Sequence, residues 1–140
     1  MDCLFCKIIS GDIPSNTIYE DEIVKVFLDI NPTSNGHCLI VPKKHYTNIE
    51  DIDLETLKYI NEVAKKIYKK LKEKLNCEGL TLIQNNGLGQ EVKHYHLHLV
   101  PRYTNDEIMM NPNKELLESI EDVMKKLTNG VELIVNINKK

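Results

Sequence analysis

Three histidines stand at alternate positions in "HYHLHLVPR", residues 94–102. They are His94, His96 and His98, and the chain has only five histidines in all. An extended strand turns alternate side chains to one face, so the three imidazoles would share a face. Tyr95, Leu97 and Leu99 would then point into the core. Neighbouring imidazoles on that face lie roughly 6.5–7 Å apart along the strand, close enough for two to share a substrate or a metal. His94 and His98 lie about twice as far apart, so one ion held by both would need distortion. Imidazole can act as nucleophile, proton-transfer group or metal ligand near neutral pH. A strand with one solvated face is the plain alternative. Such faces usually carry Lys, Glu and Thr rather than histidine in strict alternation.

The loop before this stretch, "NNGLGQEV", brings two glycines. Gly87 and Gly89 permit positive φ, so that backbone N–H groups can converge on an anion. A hairpin turn would use the same residue types. Beside the histidines, the loop reads as a phosphate cradle. At the N-terminus, Cys3 and Cys6 form C-x-x-C, which in a reducing compartment suggests zinc or redox chemistry. A redox dithiol usually opens a helix after a strand, and no strand precedes this one. A structural zinc needs about four ligands, typically Cys and His. Cys38 and Cys77 have no paired cysteine nearby in sequence and read as packed.

Certain elements must position these residues. "IYEDEIVKVFLDINP" (18–32) reads as paired strands turning at Asp21-Glu22 and ending at Asn31-Pro32. "HCLIVPKKH" (37–45) reads as a short apolar strand after the turn "TSNG". Leu54, Leu57, Ile60, Val63, Ala64, Ile67, Tyr68 and Leu71 fall at helical spacing, which predicts a long amphipathic helix over 53–75. Asp51 or Asp53 can cap its start, and Gly79 follows its end. Residues 80–92 read as a strand and then the Gly-rich loop, and the histidine strand ends at Pro101. A second helix is predicted over 111–130, with Asn111-Pro112 or Asn113 at its start and Gly130 at its stop. A last short strand is predicted over 131–137. The order strands, helix, strands, helix argues for α+β with a mostly antiparallel sheet.

The chain has 140 residues, 41% hydrophobic and 28% charged, with a formal net charge of −3. That suits one soluble domain with a real core. Without a basic block, a nucleic-acid surface is not expected. No apolar run is long enough to span a membrane. The N-terminus lacks the pattern of a signal peptide, so a cytoplasmic location with reduced or metal-bound cysteines is expected.

His94-Tyr95-His96-Leu97-His98-Leu99-Val100 resembles the His-φ-His-φ-His-φ-φ signature (φ apolar) of the histidine-triad (HIT) superfamily of nucleotide-binding proteins and hydrolases. "CLFCKIISGDIPS", "DINPTSNGHCLIVPKKHY" and "NNGLGQEVKHYHLHLVPR" look like that family's blocks in the family's order. The resemblance implies a single HIT domain over 1–140. Its core would span 3–103, with a C-terminal helical extension over 111–128 and a tail over 131–140. The implied fold is α+β, a five-stranded antiparallel sheet with a long helix and a C-terminal helix. The implied activity is release of a nucleoside monophosphate, AMP in the first instance, from phosphoramidate, acyl or polyphosphate conjugates.

By position in the motif, His96 is the nucleophile, His98 bonds the phosphate or leaving group and aids proton transfer, and His37 supports the triad. Gln90 and the amides near Glu91 and Val92 would hold phosphate oxygens, and Asn85 would touch phosphate or ribose. Leu4, Phe5, Ile8, Phe27, Ile30 and Leu39 match the nucleoside walls, and Asp29 matches the ribose acceptor. The family often has Ser or Thr where Glu91 stands. The loop 85–90 also looks shorter than in many relatives. A zinc-containing subset of the family implies a structural Zn2+ on Cys3, Cys6, His45 and His94, with no metal needed for chemistry. A homodimer is also implied, and the apolar stripe of helix 53–75 is a candidate for its interface. Two rivals stand beside this reading. One is a metal-dependent hydrolase with His96 and His98 on a catalytic zinc. The other is a nucleotide-binding module without turnover.

Overall fold

The computed structural model describes residues 2–128. The described residues up to Glu107 form one compact unit, and those from Ile108 to Thr128 belong to a second. The first unit holds a sheet of five strands in the order β1-β2-β3-β5-β4, with every neighbouring pair antiparallel. The strands are β1 (Thr17–Glu20), β2 (Val24–Leu28), β3 (Cys38–Pro42), β4 (Gly79–Ile83) and β5 (Leu97–Arg102). The α+β antiparallel expectation holds. Asp21 makes the first hairpin turn by accepting the N–H groups of Ile23 and Val24 at 2.8 Å each.

Helices cover both faces of this sheet, and strand alternation sorts the core into two parts. On one face Val24, Val26, Cys38, Ile40, Leu97 and Leu99 pack against α2 (Leu54–Leu75). Asp53 caps α2, accepting from Thr56 N–H at 2.7 Å, and Asn76 ends it in the left-handed region. The end thus comes at Asn76, while Gly79 already opens β4. Ile60, Val63, Ala64, Ile67 and Leu71 of α2 are buried in this same core. Each buried Ile, Val or Leu among them contributes about 1.5–3 kcal/mol. Most of the apolar stripe thus packs on the subunit's own sheet, while Leu54 at its start is exposed.

The opposite face carries α1 (Leu4–Ser10), an element the sequence reading did not separate. Cys3 caps it, its sulfur accepting from Cys6 N–H at 3.4 Å. Phe5 and Ile8 of α1 pack on Phe27, Leu39 and Val41. The Lys25 ammonium reaches across from β2 to the Ile8 carbonyl at 3.0 Å. The same carbonyl accepts from the capping Gly11 N–H at 3.2 Å, and a cation is favourable at a helix C-terminus.

Gly36 sits in the turn before β3 at φ +93, where L side chains are strained. A Cβ there would lie 2.7 Å from Leu75 Cδ1 and 3.1 Å from Leu71 Cδ2. Gly36→Ala is expected to cost about 2 kcal/mol, from left-handed strain and overpacking against α2. Urea denaturation of the two proteins measures this directly.

In the second unit, the helix expected over 111–130 is broken. A 3-10 turn at Lys114–Leu116 is followed by extended backbone at Leu117, and α3 runs only from Ile120 to Thr128. Ser119 starts α3 by accepting the N–H of Asp122 on its hydroxyl oxygen at 3.1 Å. A competing N-cap explains why the helix begins there rather than at Asn111 or Asn113. The predicted strand over 131–137 and the stop at Gly130 lie outside the described residues.

Candidate active site and metal centre

The histidine stretch departs from a plain strand in one respect. Regular β5 begins at Leu97, so His94 and His96 precede it. Backbone pairing here lies outside the regular ladder, with Tyr95 N–H donating to the Tyr46 carbonyl at 2.7 Å. The alternation survives: Tyr95, Leu97 and Leu99 enter the core against α2. The other face is not solvated, because α1 covers it. His94 is fully buried and His96 is 5% exposed. The Phe5 ring lies 4.9 Å from the His96 ring and 6.0 Å from the His94 ring, edge-on to both.

His96 and His98 open into a cleft of about 580 Å³. Such a volume suits a nucleotide-sized ligand. Leu4, Phe5, Ile8, Phe27, Ile30 and Leu39 line it, as do Asp29, Asn85, Glu91 and Val92. Two expected residues do not line it. Gln90 is buried, and its amide is spent on the loop: Oε1 accepts from Gly87 N–H at 3.1 Å and Nε2 donates to the Thr47 carbonyl at 2.6 Å. Its side chain shapes the cradle rather than binding in it. His37 stands behind His98. Sequence reasoning missed Ile13, Pro14, Ser15 and Asn16, which complete the wall. Only their position after α1 could have signalled them.

Hydrogen bonding fixes the tautomers. His96 Nδ1 lies 2.7 Å from the His94 carbonyl oxygen. A carbonyl only accepts, so Nδ1 carries the proton and Nε2 keeps its lone pair. His37 Nδ1 faces the Thr33 N–H at 3.0 Å, and a backbone N–H only donates. Neutral His37 therefore carries its proton on Nε2 and gives it to His98 Nδ1 at 3.0 Å. His98 then holds its proton on Nε2. The pair presents one lone pair, on His96, beside one N–H donor, on His98, with ring centroids 4.9 Å apart.

Burial lowers the pKa of His96, opposed by the His94 hydrogen bond and by the charges of Asp29 and Glu91. Burial, with help from His96 and His37, pushes His98 down to about 4. An unfolded histidine titrates near ~6.5. The unfolded state therefore binds more protons between these values, and His98 contributes stability that is full above about 6.5 and lost as pH falls toward about 4. The expected result is a His98 ring signal that titrates near pH 4 by proton NMR of the folded protein. Titration near the unfolded value would contradict the neutral, buried assignment.

Gly87 and Gly89 adopt the expected positive φ, 74 and 95. The loop uses its own Gly87 and Gln90 N–H groups internally. The N–H groups of Glu91 and Val92 make no hydrogen bond to any described residue. Both residues line the cleft together with His96 and His98.

Asp29 is partly engaged. Its Oδ1 accepts from Asn31 N–H at 2.8 Å, and its Oδ2 lies 3.6 Å from His37 Nε2. Asp29, His37 and His98 have ligand atoms close enough to surround an ion. The tautomer chain argues against that use, since His37 Nδ1 is occupied by Thr33 and Nε2 carries a proton.

Cys3, Cys6, His45 and His94 converge, their ligand atoms all within 4.8 Å of one another. His94 Nδ1 lies 3.4 Å from Cys3 Sγ and 3.6 Å from Cys6 Sγ, and His45 Nδ1 lies 3.4 Å from Cys6 Sγ. A tetrahedral zinc with ordinary bond lengths sets its sulfur and nitrogen ligands about 3.6 Å apart. His94 Nε2 donates to the Pro42 carbonyl at 2.8 Å, which leaves Nδ1 as a lone pair aimed at the thiols. The donor set fits zinc. Among the described residues, His96 belongs to neither group of potential ligands.

Comparison with known proteins bears on the family. The chain is 41% identical over 128 residues to an uncharacterized HIT-like protein of Methanocaldococcus jannaschii, covering 89% of this chain and 98% of that one. It is 42% identical over 102 residues to a Saccharomyces cerevisiae protein named adenosine 5'-monophosphoramidase, covering 71% of this chain and 62% of that one. A crystal structure of a zinc-bound histidine triad family protein from Mycobacterium smegmatis superimposes with TM-score 0.75 at 38% identity, over 82% of this chain and 86% of that one. The HIT domain family model matches residues 10–105. The chain belongs to the HIT domain family.

Proposed function

We propose that this protein is a nucleotidyl hydrolase of the phosphoramidase type. It releases a nucleoside monophosphate, AMP in the first instance, through a nucleotidyl-histidine intermediate on His96. The observation that carries this reading is the fixed tautomer of His96, whose Nε2 lone pair faces the cleft beside the His98 Nε2–H donor. The name of the yeast relative supports the reaction class.

In the mechanism, apolar walls from α1, β2 and β3 seat the nucleoside, and Asp29 accepts from its ribose. The amides of Glu91 and Val92 take the phosphate oxygens. His96 Nε2 attacks phosphorus, and its Nδ1–H leans on the His94 carbonyl as positive charge develops on the ring. His98 donates to the oxygens or the leaving atom, held in register by His37 and Thr33. Water then cleaves the phosphorus–nitrogen bond to His96. We place a structural Zn2+ on Cys3, Cys6, His45 and His94. When bound, it supplies a cross-link between α1 and the sheet and no step of the reaction. A homodimer and a cytoplasmic location belong to the same proposal.

The direct test is AMP release from adenosine 5'-phosphoramidate by the purified protein, with and without a chelator mild enough to leave the fold intact. Sustained release in both conditions is expected. No release with folded, zinc-loaded protein overturns the proposal.

A further inference from the structure

The charge lining the cleft is one-sided. Asp29 and Glu91 both line it, and no Lys or Arg is among the described residues that do. Asp29 is partly satisfied by Asn31 and lies near His37. Glu91 is different. It is exposed and makes no hydrogen bond or ion pair with any described residue. The cation nearest in sequence, Lys93, donates instead to the carbonyls of Gly87 and Gln90 at 3.1 and 3.0 Å. A free carboxylate therefore stands on the phosphate loop, with Asn85 and Gly89, rather than on the apolar wall that suits a nucleoside.

We propose that Glu91 determines leaving-group specificity: the cleft favours nucleoside phosphoramidates whose amine portion carries a positive charge and disfavours polyphosphate conjugates. This rests on the nucleotidyl-hydrolase reading above. The chemistry balances without an added reactant. The His96 Nε2–P bond forms as the P–N bond breaks, and the bond pair leaves with the nitrogen. Over the whole cycle one water supplies the oxygen that ends on phosphorus and the two protons that end on the amine. The products are a nucleotide dianion and an ammonium ion. A carboxylate beside the departing nitrogen attracts that cation. It repels a chain of further phosphates. A second ammonium already on the amine portion feels the attraction from binding onward, while a distal carboxylate feels repulsion.

The test uses three adenosine phosphoramidates of equal length, made from a diamine, a simple alkylamine and an amino acid. Their distal ends are ammonium, methyl and carboxylate. The wild-type protein is expected to rank kcat/KM in that order, with about fivefold between neighbours at low salt. Glu91→Gln is expected to compress the ranking to within about twofold, and Glu91→Lys to invert it. Salt at about 0.5 M should compress the wild-type ranking as well, because an exposed carboxylate is screened. A wild-type ranking that Glu91→Gln leaves unchanged overturns the proposal, and so does no ranking at all. If no compound yields AMP, the hydrolase reading fails instead. The same ranking is then sought in Kd values for the three compounds, and its absence there overturns the charge selection separately.

Discussion

His96→Ala is expected to lower kcat by about 10⁴-fold or more while leaving the affinity for AMP within about threefold. The size follows from the chemistry. Without Nε2 there is no covalent intermediate, and what is left of the site can only bind and polarise. The small change in affinity follows from geometry. The apolar walls, Asp29 and the loop amides are untouched, and the His96 ring lies edge-on to Phe5 rather than stacked under a base. Single-turnover kinetics and calorimetric binding separate the two effects. Equal losses in both would mean that the ring is structural.

The second large effect concerns the N-terminus. Cys3→Ala is expected to abolish tight zinc binding and to lower Tm by about 10–15 °C, as several kcal/mol of linked metal binding disappears. The loss should reach the cleft, because α1 joins the two sites. Cys3 caps α1, Cys6 lies in its first turn, and Phe5 between them touches both His94 and His96. Freed from the metal, α1 still has Phe5 and Ile8 on the sheet and the Lys25 contact, so the variant should fold. A raised KM with smaller change in kcat is the expected signature. Cys77→Ala removes a buried thiol remote from the four ligands and should leave zinc content at one per chain. Metal analysis and thermal melts of the two variants check both statements. A Cys3→Ala protein with wild-type Tm and zinc would remove the metal centre from the account.

Much of this was legible in the sequence because it rests on period and spacing. The 3.6-residue stripe from Leu54 to Leu71 defines α2, and the alternation at 94–99 sorts imidazoles from core residues. The blocks around His37, His45 and His94 brought the triad and the four Cys and His residues forward, and the fold places each set together.

What escaped has physical reasons. Helix α1 is seven residues long and its cap is a cysteine, so neither periodicity nor a Ser/Thr/Asp signal announces it. The late start of β5 depends on the His94 ring binding Pro42 and the Tyr95 amide binding Tyr46, which are long-range contacts. Gln90 matches a phosphate-binding position, but its two partners lie at Gly87 and Thr47, and only the folded loop reveals them. Thr33 contributes through its backbone N–H, which carries no sequence signal at all. In the C-terminal unit an apolar rhythm suggested one helix, but the Ser119 cap competes with continuation through Leu117.

Covalent catalysis at His96 is the central claim, and intact-protein mass spectrometry tests it most directly. The zinc-loaded protein is mixed with adenosine 5'-phosphoramidate and quenched rapidly without acid, with and without chelator, alongside His96→Ala. The account predicts a transient adduct of one AMP group on the wild-type chain, present despite chelation and missing from the variant. Turnover that never shows an adduct and vanishes on chelation while the fold persists would contradict it.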